Sequence, residues 1–372
     1  QRPKEKNMAT KFIYFDDEDQ SSFIRGISAR GNIDVVQEEV KPWPEIIKFF
    51  KEKQKSIDGV ILDQRLDEKS KEPLRGSSLA QHLRTWSSEK KMGLKNFPIV
   101  LFSADEKAKD SFYRDTTAQD LFDVRYSKTS MPPVEELITL ADGYKKINET
   151  NKLEDLLAFN TYITASDIDY RLVNTLLKKL KQGPTHEFAR FFISQVLLIN
   201  GTLINELVLC SRLGIDLQKS GDSYIELLKK ISRIKYKGVF ASGWDRWWAD
   251  KLIFWWESTF PDSESLSMLD AEARVQLLNE KYKIQLIAAE KTPMSRSRAF
   301  WTVCVGSDRP IDIVDALRID NDNLYPWQDQ EYISNDEGVK PTNLKKWKQV
   351  HPMDKEQLNK LKKLNIKKRP KK

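Results

Sequence analysis

The stretch Ser56–Leu66 reads SIDGVILDQRL and decides the fold of the first part of the chain. Its centre, Gly59–Leu62, is a short apolar run of the kind that forms a buried β-strand, and it leads directly into Asp63. In an open α/β sheet the ligand crevice lies beyond the carboxyl ends of the strands, so an Asp at this position is placed for chemistry. A single Asp there is more often the start of a turn, and its meaning therefore depends on its neighbours.

Five short runs rich in β-branched and aromatic residues alternate with helical patterns in the first 148 residues. The predicted strands cover residues 11–15, 33–36, the run that ends at Asp63, 98–102 and 122–126. Helices are predicted around Ile24 and Ile27, from Pro44, from Gly76, over residues 107–121 and from Pro133. This alternation predicts a doubly wound sheet of five parallel strands.

Residues with chemically useful side chains stand where four of these strands end. They are Asp16 and Asp17 after the first strand, Asp63 at the end of the third, Ser103 after the fourth and Lys128 after the fifth. Parallel strands all present their carboxyl ends at one edge of a sheet, so we expect these side chains to gather there.

This order of residues resembles the receiver domain of two-component response regulators, of the chemotaxis-regulator type, over residues 10–148. The shared motifs are the acidic pair after the first strand, the Asp that ends the third, the pair Ser103-Ala104 after the fourth and the Lys after the fifth. The resemblance implies a flavodoxin-like fold for this region.

The resemblance also implies a phosphoryl-transfer site, in which Asp63 is the phospho-acceptor. Ser103 would donate a hydrogen bond to one phosphoryl oxygen, and Lys128 would pair with another oxygen or with Asp63. Several acids close together repel one another unless a hard cation lies between them, and Mg²⁺ suits such a site. The implied magnesium ligands are Asp17, Asp63, the backbone carbonyl of Arg65 and, through water, Asp16.

Three features depart from the family pattern. The loop after Asp63 is longer than usual, with DEKSKEP at residues 67–73. Thr129, not Pro, follows the Lys, and Arg125 stands where the family has its aromatic switch residue, with Tyr126 next to it. These departures leave the phosphorylation groups in place but put in doubt how a signal passes through the fourth and fifth strands.

The net charge of +7 is concentrated at the end of the chain. Residues 341–372 hold 12 Lys and Arg against 2 Asp and Glu, a net charge of +10, so the remaining chain carries 7 − 10 = −3. We treat 341–372 as a basic C-terminal tail, which is more typical of a solvated end than of a nucleic-acid-binding element.

The sequence is typical of a globular cytoplasmic protein. No apolar run approaches the roughly 18 to 20 residues that a membrane span needs, so no membrane partner is expected. The two cysteines, Cys210 and Cys304, lack a CxxC partner and suggest a reducing compartment. Residues 1–9 are read as an N-terminal extension or a cloning remnant, with Met8 as the native start.

Residues 149–340 are predicted to form a mainly helical α+β domain that is rich in Trp. Leu172 and Leu176 follow an N-cap cluster, a long helix is predicted over 184–213, and Ser220–Asp222 would cap the next. Residues 284–289 and 297–306 are read as strands or a mixed patch, and 321–337 as a loop.

The oddest stretch, residues 243–256, reads GWDRWWADKLIFWW and is predicted to be helical. On a helix Trp244, Trp248 and Trp255 share one face, with Trp247 on the neighbouring one. These interaction candidates allow three interpretations: a packed core, a partner or dimer interface, or a base-stacking platform.

No catalytic or metal-binding motif is evident in this second part, where His186 and His351 lack metal-site spacing. We therefore expect a response regulator that receives its phosphoryl group from a histidine kinase or phosphotransfer protein and acts through an atypical protein-interaction domain. It would catalyse only its own phosphorylation at Asp63, and homodimerisation is left open.

Two alternatives remain for the C-terminal region. In the first, this region is a nucleic-acid-binding effector that uses Lys345, Lys346, Lys348 and the terminal basic run. In the second, it is an enzyme gated by the receiver in a stress or defence system.

Overall fold

A five-stranded parallel sheet forms the centre of the first part of the chain in this computed structural model. The strand order is β2-β1-β3-β4-β5. The strands are β1 (Thr10–Phe15), β2 (Ile33–Glu38), β3 (Gly59–Asp63), β4 (Ile99–Ser103) and β5 (Val124–Ser127). Helices flank the sheet, so the predicted doubly wound, flavodoxin-like α/β fold is confirmed.

The structure describes residues 9–64, 66, 75–89, 93–103, 121–321, 324–340 and 349–368, the last four of these without their side chains. The helices next to the sheet are α1 (Ser21–Ser28), α2 (Trp43–Lys53), α3 (Gly76–Ser88) and α4 (Val134–Glu149). Pro44 lies in the first turn of α2, as predicted. The loop at 67–73 and nearly all of the helix predicted over 107–121 lie outside the described residues.

Side chains on one face of the sheet form an apolar core with α2 and α3. Alternate residues of a strand point to the same face. The members from the strands are Ile13, Phe15, Val60, Leu62, Ile99 and Leu101, and those from the helices include Ile46, Phe50, Leu79 and Leu83. The buried run in β3 therefore places Asp63 at the carboxyl end of the central strand.

A buried polar cluster ties α3 and α4 to the amino ends of the strands. The Asp123 carboxylate accepts hydrogen bonds from Arg84 Nη2 at 2.8 Å, from the Ile99 backbone N–H at 2.8 Å and from the Tyr144 hydroxyl at 2.6 Å. Arg84 also donates to the carbonyl oxygens of Leu121 and Phe97. The ion pair of Arg84 with Asp123 is buried and therefore costly to break, because either residue alone would be an uncompensated buried charge.

The chain forms two compact units, and the N-terminal unit contains residues 1–195 and 237–244. Beyond the sheet it holds α5 (Leu153–Leu157), α6 (Tyr170–Gln182) and α7 (Thr185–Phe192). Asp169 caps α6, in the predicted N-cap cluster. The segment 237–244 returns to this unit, where the Phe240 ring lies against Gly143 and the Val239 N–H donates to the Leu156 carbonyl at 2.6 Å.

The C-terminal unit contains residues 196–236 and 245–372 and combines helices with two- and three-residue strands. Its helices are α8 (Glu206–Leu213), α9 (Leu217–Lys230), α10 (Ala249–Thr259), α11 (Ala271–Tyr282), α12 (Asn335–Gly338) and α13 (Lys355–Lys368). The antiparallel strand pairs are β6 (Leu203–Ile204) with β7 (Trp247–Trp248), β8 (Thr302–Val303) with β9 (Pro310–Ile311), and β10 (Ala316–Arg318) with β11 (Tyr332–Ser334). In the described part of the chain, no helix is long and apolar enough to cross a membrane.

The single helix predicted over 184–213 is wrong. The helix α7 ends at Phe192, a π-helical turn covers Ile193–Leu197, and β6 precedes α8. A Cβ atom at Gly201 would overlap the backbone of Trp327, so the chain needs Gly at this close approach. Asn205 then starts α8, because its side chain accepts from the Val208 N–H at 2.9 Å.

The helix start predicted at Ser220–Asp222 is only partly right, because a kink at Gly221 divides α9 there. The helix α9 begins earlier, because the side chain of Asp216 accepts from the Lys219 N–H at 3.1 Å. Gly221, with φ of 47° and ψ of −126°, kinks the helix at the predicted start.

The helical prediction for 243–256 is only half right. Trp247 and Trp248 lie in β7, opposite Ile204 and Leu203, and α10 begins at Ala249. The four Trp residues singled out from the sequence are buried, with 7%, 1%, 5% and 2% of Trp244, Trp247, Trp248 and Trp255 exposed. This burial matches the packed-core interpretation, while a role of these residues in binding a partner stays a prediction.

The last part of the chain contributes to the core of the C-terminal unit. Val350 is fully buried and Leu358 of α13 is 3% exposed, both in a cluster with Ile311, Leu317 and Ile333. The predicted loop over 321–337 also contains regular structure, namely β11 and α12. A contact of the basic segment with nucleic acid stays a prediction.

We predict that Asp123→Ala lowers the free energy of unfolding by about 3 to 5 kcal/mol, because Arg84 would remain buried without its partner. Urea denaturation followed by circular dichroism measures this loss. The exposed Asp142 provides the matched control, and Asp142→Ala should change stability by no more than about 0.5 kcal/mol. Equal losses for the two variants would contradict the prediction.

We also predict an acid-sensitive step at His186. Burial, and then the charge of Arg84, lower the pKa of this side chain from 6.5 to about 3. Between these values only the unfolded chain takes up the proton, so stability falls by about 1.4 kcal/mol for each pH unit below 6.5. The variant His186→Gln should lack this slope and run parallel to the parent above about pH 7 in denaturation curves. The same acid slope in both proteins would contradict the assignment.

Candidate functional site

The end of β3 places Asp63 at the centre of the carboxyl edge of the sheet, between β1 and β4. Its side chain is largely buried. The first residue of α3, Gly76, donates its N–H to the Gln64 carbonyl at 3.2 Å. A Cβ atom at Gly76 would overlap the Asp63 carbonyl oxygen, so only Gly allows α3 to start this close to the strand.

The acidic pair after β1 contributes two different carboxylates. Asp16 is 3% exposed and accepts from the Tyr14 hydroxyl at 2.6 Å and from the Glu18 N–H at 3.0 Å. Burial, and then the hydrogen bond to Asp16, raise the pKa of Tyr14, so this hydroxyl keeps its proton and remains a donor. Asp17 is exposed at the mouth of the site.

Lys128 connects the two buried carboxylates. Its backbone N–H donates to the Ser103 carbonyl at 2.9 Å, which extends the pairing of β4 with β5 and fixes the start of the side chain. Its Nζ atom lies 2.7 Å from Asp16 Oδ2 and 3.1 Å from Asp63 Oδ1. Burial lowers the pKa of Lys128, but the two carboxylates outweigh it and the pKa is raised, so the ammonium stays charged.

Ser103 completes this edge of the sheet from β4. The side chain is 3% exposed, and its Oγ atom donates to Gln64 Oε1 at 3.0 Å. The hydroxyl therefore lies one strand away from Asp63 and within hydrogen-bond reach of the residue that follows it.

The three carboxylates are close enough to share a cation. One oxygen from each of Asp16, Asp17 and Asp63 lies within 4.8 Å of the others. With Lys128 these groups carry a formal charge of 1 − 3 = −2, and carboxylate oxygens are the ligands that Mg²⁺ prefers. Among the described residues no other group of three or more His, Cys, Asp or Glu side chains has this spacing.

The neighbouring acid Asp19 binds the start of α1. Its side chain accepts from the Ser21 backbone N–H at 2.9 Å at the start of α1. The bonds from Ser21 lower the pKa of Asp19. This residue therefore organises the start of the helix instead of joining the carboxylate group.

The structure thus brings together Asp16, Asp17, Asp63 and Lys128, with Ser103 beside them, as the sequence predicts. Arg65, whose carbonyl was the remaining predicted ligand, lies outside the described residues. Sequence reasoning missed Tyr14 and Gln64. Tyr14 stands two residues before Asp16 on the same strand face, a spacing that could have revealed it, whereas nothing in the sequence indicates that Gln64 turns toward Ser103.

The two residues at the expected switch position lie on opposite faces of β5. Arg125 pairs with Leu101 across the strands and is 7% exposed. Tyr126 packs edge-on against Phe102, and its hydroxyl donates to Glu136 Oε2 of α4 at 2.5 Å. The Tyr126 ring is thus anchored on the face opposite that of Arg125.

We predict that Gly76→Ala disturbs the site, because the added methyl group must push α3 away from the Asp63 carbonyl. Overpacking of this kind costs about 1 to 3 kcal/mol of stability. Urea denaturation measures the loss. Ala substitution at Ser78, two residues further along α3, is the control, and a Gly76→Ala protein as stable as this control would contradict the argument.

No protein-family model matches the chain, and no curated protein matches it. Among solved structures, it is similar to one described as the crystal structure of a response regulator receiver domain protein from Clostridium thermocellum. The two chains share 15% sequence identity with a TM-score of 0.26, and the match covers 38% of this chain and 99% of that one. A TM-score this low supports neither a shared fold nor a shared function.

Proposed function

We propose that this chain is a response regulator whose N-terminal unit accepts a phosphoryl group on Asp63. The observation that carries the proposal is the position of Lys128, whose Nζ atom lies within 3.1 Å of a carboxylate at the end of the central strand and 2.7 Å from a second one. A nucleophilic carboxylate, a fixed cation and a nearby hydroxyl are the groups that phosphoryl transfer to an Asp requires.

In the proposed step, an oxygen of Asp63 forms a bond to phosphorus. The bond between phosphorus and the ring nitrogen of a phosphohistidine breaks, and its electron pair stays on the imidazole of the donor. Lys128 pairs with the developing negative charge, because its ammonium already lies beside the attacking carboxylate. Ser103 would donate a hydrogen bond from its hydroxyl to a phosphoryl oxygen and keep its proton.

Mg²⁺ is the proposed cofactor, with Asp17, Asp63 and the Arg65 carbonyl as ligands and Asp16 acting through water. The fit is supported by the spacing of the three carboxylates, since octahedral Mg²⁺ ligands lie about 3 to 4 Å apart. When bound, the ion supplies positive charge to the transferring phosphoryl group. Asp16 is the least available ligand of the three, because Tyr14, Glu18 and Lys128 already donate to it.

The proposed partner is a histidine kinase or phosphotransfer protein of the cytoplasm. We take residues 10–148 as the receiver and 149–340 as the output region, which would act through protein contacts or by forming a homodimer. Phosphorylation adds negative charge at the edge of the sheet, and this charge is the proposed signal. The receiver then has a regulatory role, and its chemistry is limited to its own phosphorylation.

The test is incubation of the full chain with acetyl phosphate and Mg²⁺, followed by intact-mass measurement. The parent should gain one phosphoryl group, and Asp63→Asn should gain none, because the amide oxygen is a poor nucleophile. Asp142→Asn, on the exposed side of α4, is the matched control and should be labelled like the parent. A parent without an adduct, or an equal adduct on Asp63→Asn, would overturn the proposal.

A further inference from the structure

We infer that Gln64 regulates the phosphorylation of Asp63 by holding the hydroxyl group of Ser103. This inference rests on the proposed function and concerns the same site. Its basis is the hydrogen bond of 3.0 Å from Ser103 Oγ to Gln64 Oε1.

The backbone of Gln64 is fixed while its side chain is open to solvent. Its carbonyl accepts from the Gly76 N–H at 3.2 Å, so the position of the residue is set by the start of α3. The residue is exposed, whereas Ser103 is 3% exposed. The hydrogen bond therefore joins a buried hydroxyl to a residue that solvent reaches.

A serine hydroxyl carries a single proton and can donate one strong hydrogen bond at a time. While Ser103 donates to Gln64, it cannot donate to a phosphoryl oxygen on Asp63. Phosphoryl transfer must therefore break the bond to Gln64, and the exposed amide then returns to water. Gln64 thus acts as a positioning residue that works through Ser103 and slows formation of the phosphorylated state.

The experiment measures the rate at which the full chain gains a phosphoryl group from acetyl phosphate with Mg²⁺, and separately the rate at which the adduct decays after the donor is removed. Gln64→Met keeps the length of the side chain but removes the acceptor. We expect it to gain the adduct about threefold to tenfold faster, which corresponds to the loss of one ordinary hydrogen bond. Gln64→Glu keeps an acceptor and should be no faster than the parent.

A second comparison separates this role from a merely structural one. In a chain that already carries Ser103→Ala, Gln64→Met should leave the rate unchanged, because no hydroxyl remains to be released. An adduct on Asp63 that forms equally fast in the parent and in Gln64→Met would overturn the inference alone. Acceleration that persists without the Ser103 hydroxyl would also overturn it. A complete lack of adduct in every variant would instead overturn the proposed function.

Discussion

Repulsion between carboxylates is the constraint around which the edge of the sheet is built. One oxygen from each of three carboxylates lies within 4.8 Å of the other two, and two of these acids are buried. Lys128 makes this arrangement possible because its ammonium contacts both buried acids at once. The backbone bond from Lys128 to β4 matters for the same reason, since it fixes the origin of the side chain that spans the two acids.

Much of this architecture could be predicted from the sequence, because the physical signals are local. The run from Gly59 to Leu62 is apolar throughout, and a central parallel strand covered by helices on both faces must be so. The alternation of strands and helices also predicts that the residues at the strand ends meet at one edge of the sheet. The contacts of Tyr14 and Gln64 could not be predicted with equal certainty, because they depend on rotamers and on which residues the folded backbone brings close.

In the C-terminal unit, the periodicity of apolar residues does not predict the secondary structure. Its strands are only two or three residues long, too short for the alternation of apolar and polar residues to identify them. Trp247 and Trp248 illustrate this, since a pair of large apolar residues fits the start of a helix as well as a short strand. The apolar segment that holds Phe192 and Leu213 contains two apolar helices. Periodicity does not reveal the π-helical turn over Ile193–Leu197 or the close approach that requires Gly201 between them.

The path of the chain between the two units has a consequence for how the protein can be divided. Because residues 237–244 belong to the N-terminal unit, the polypeptide passes from one unit to the other three times, after residues 195, 236 and 244. A fragment that stops before residue 237 would lack Phe240 and expose the surface of α4 around Gly143. Neither unit can therefore be isolated by a single cut. A cut after residue 195 leaves 237–244 on the C-terminal fragment, and a cut after residue 244 leaves 196–236 on the N-terminal fragment.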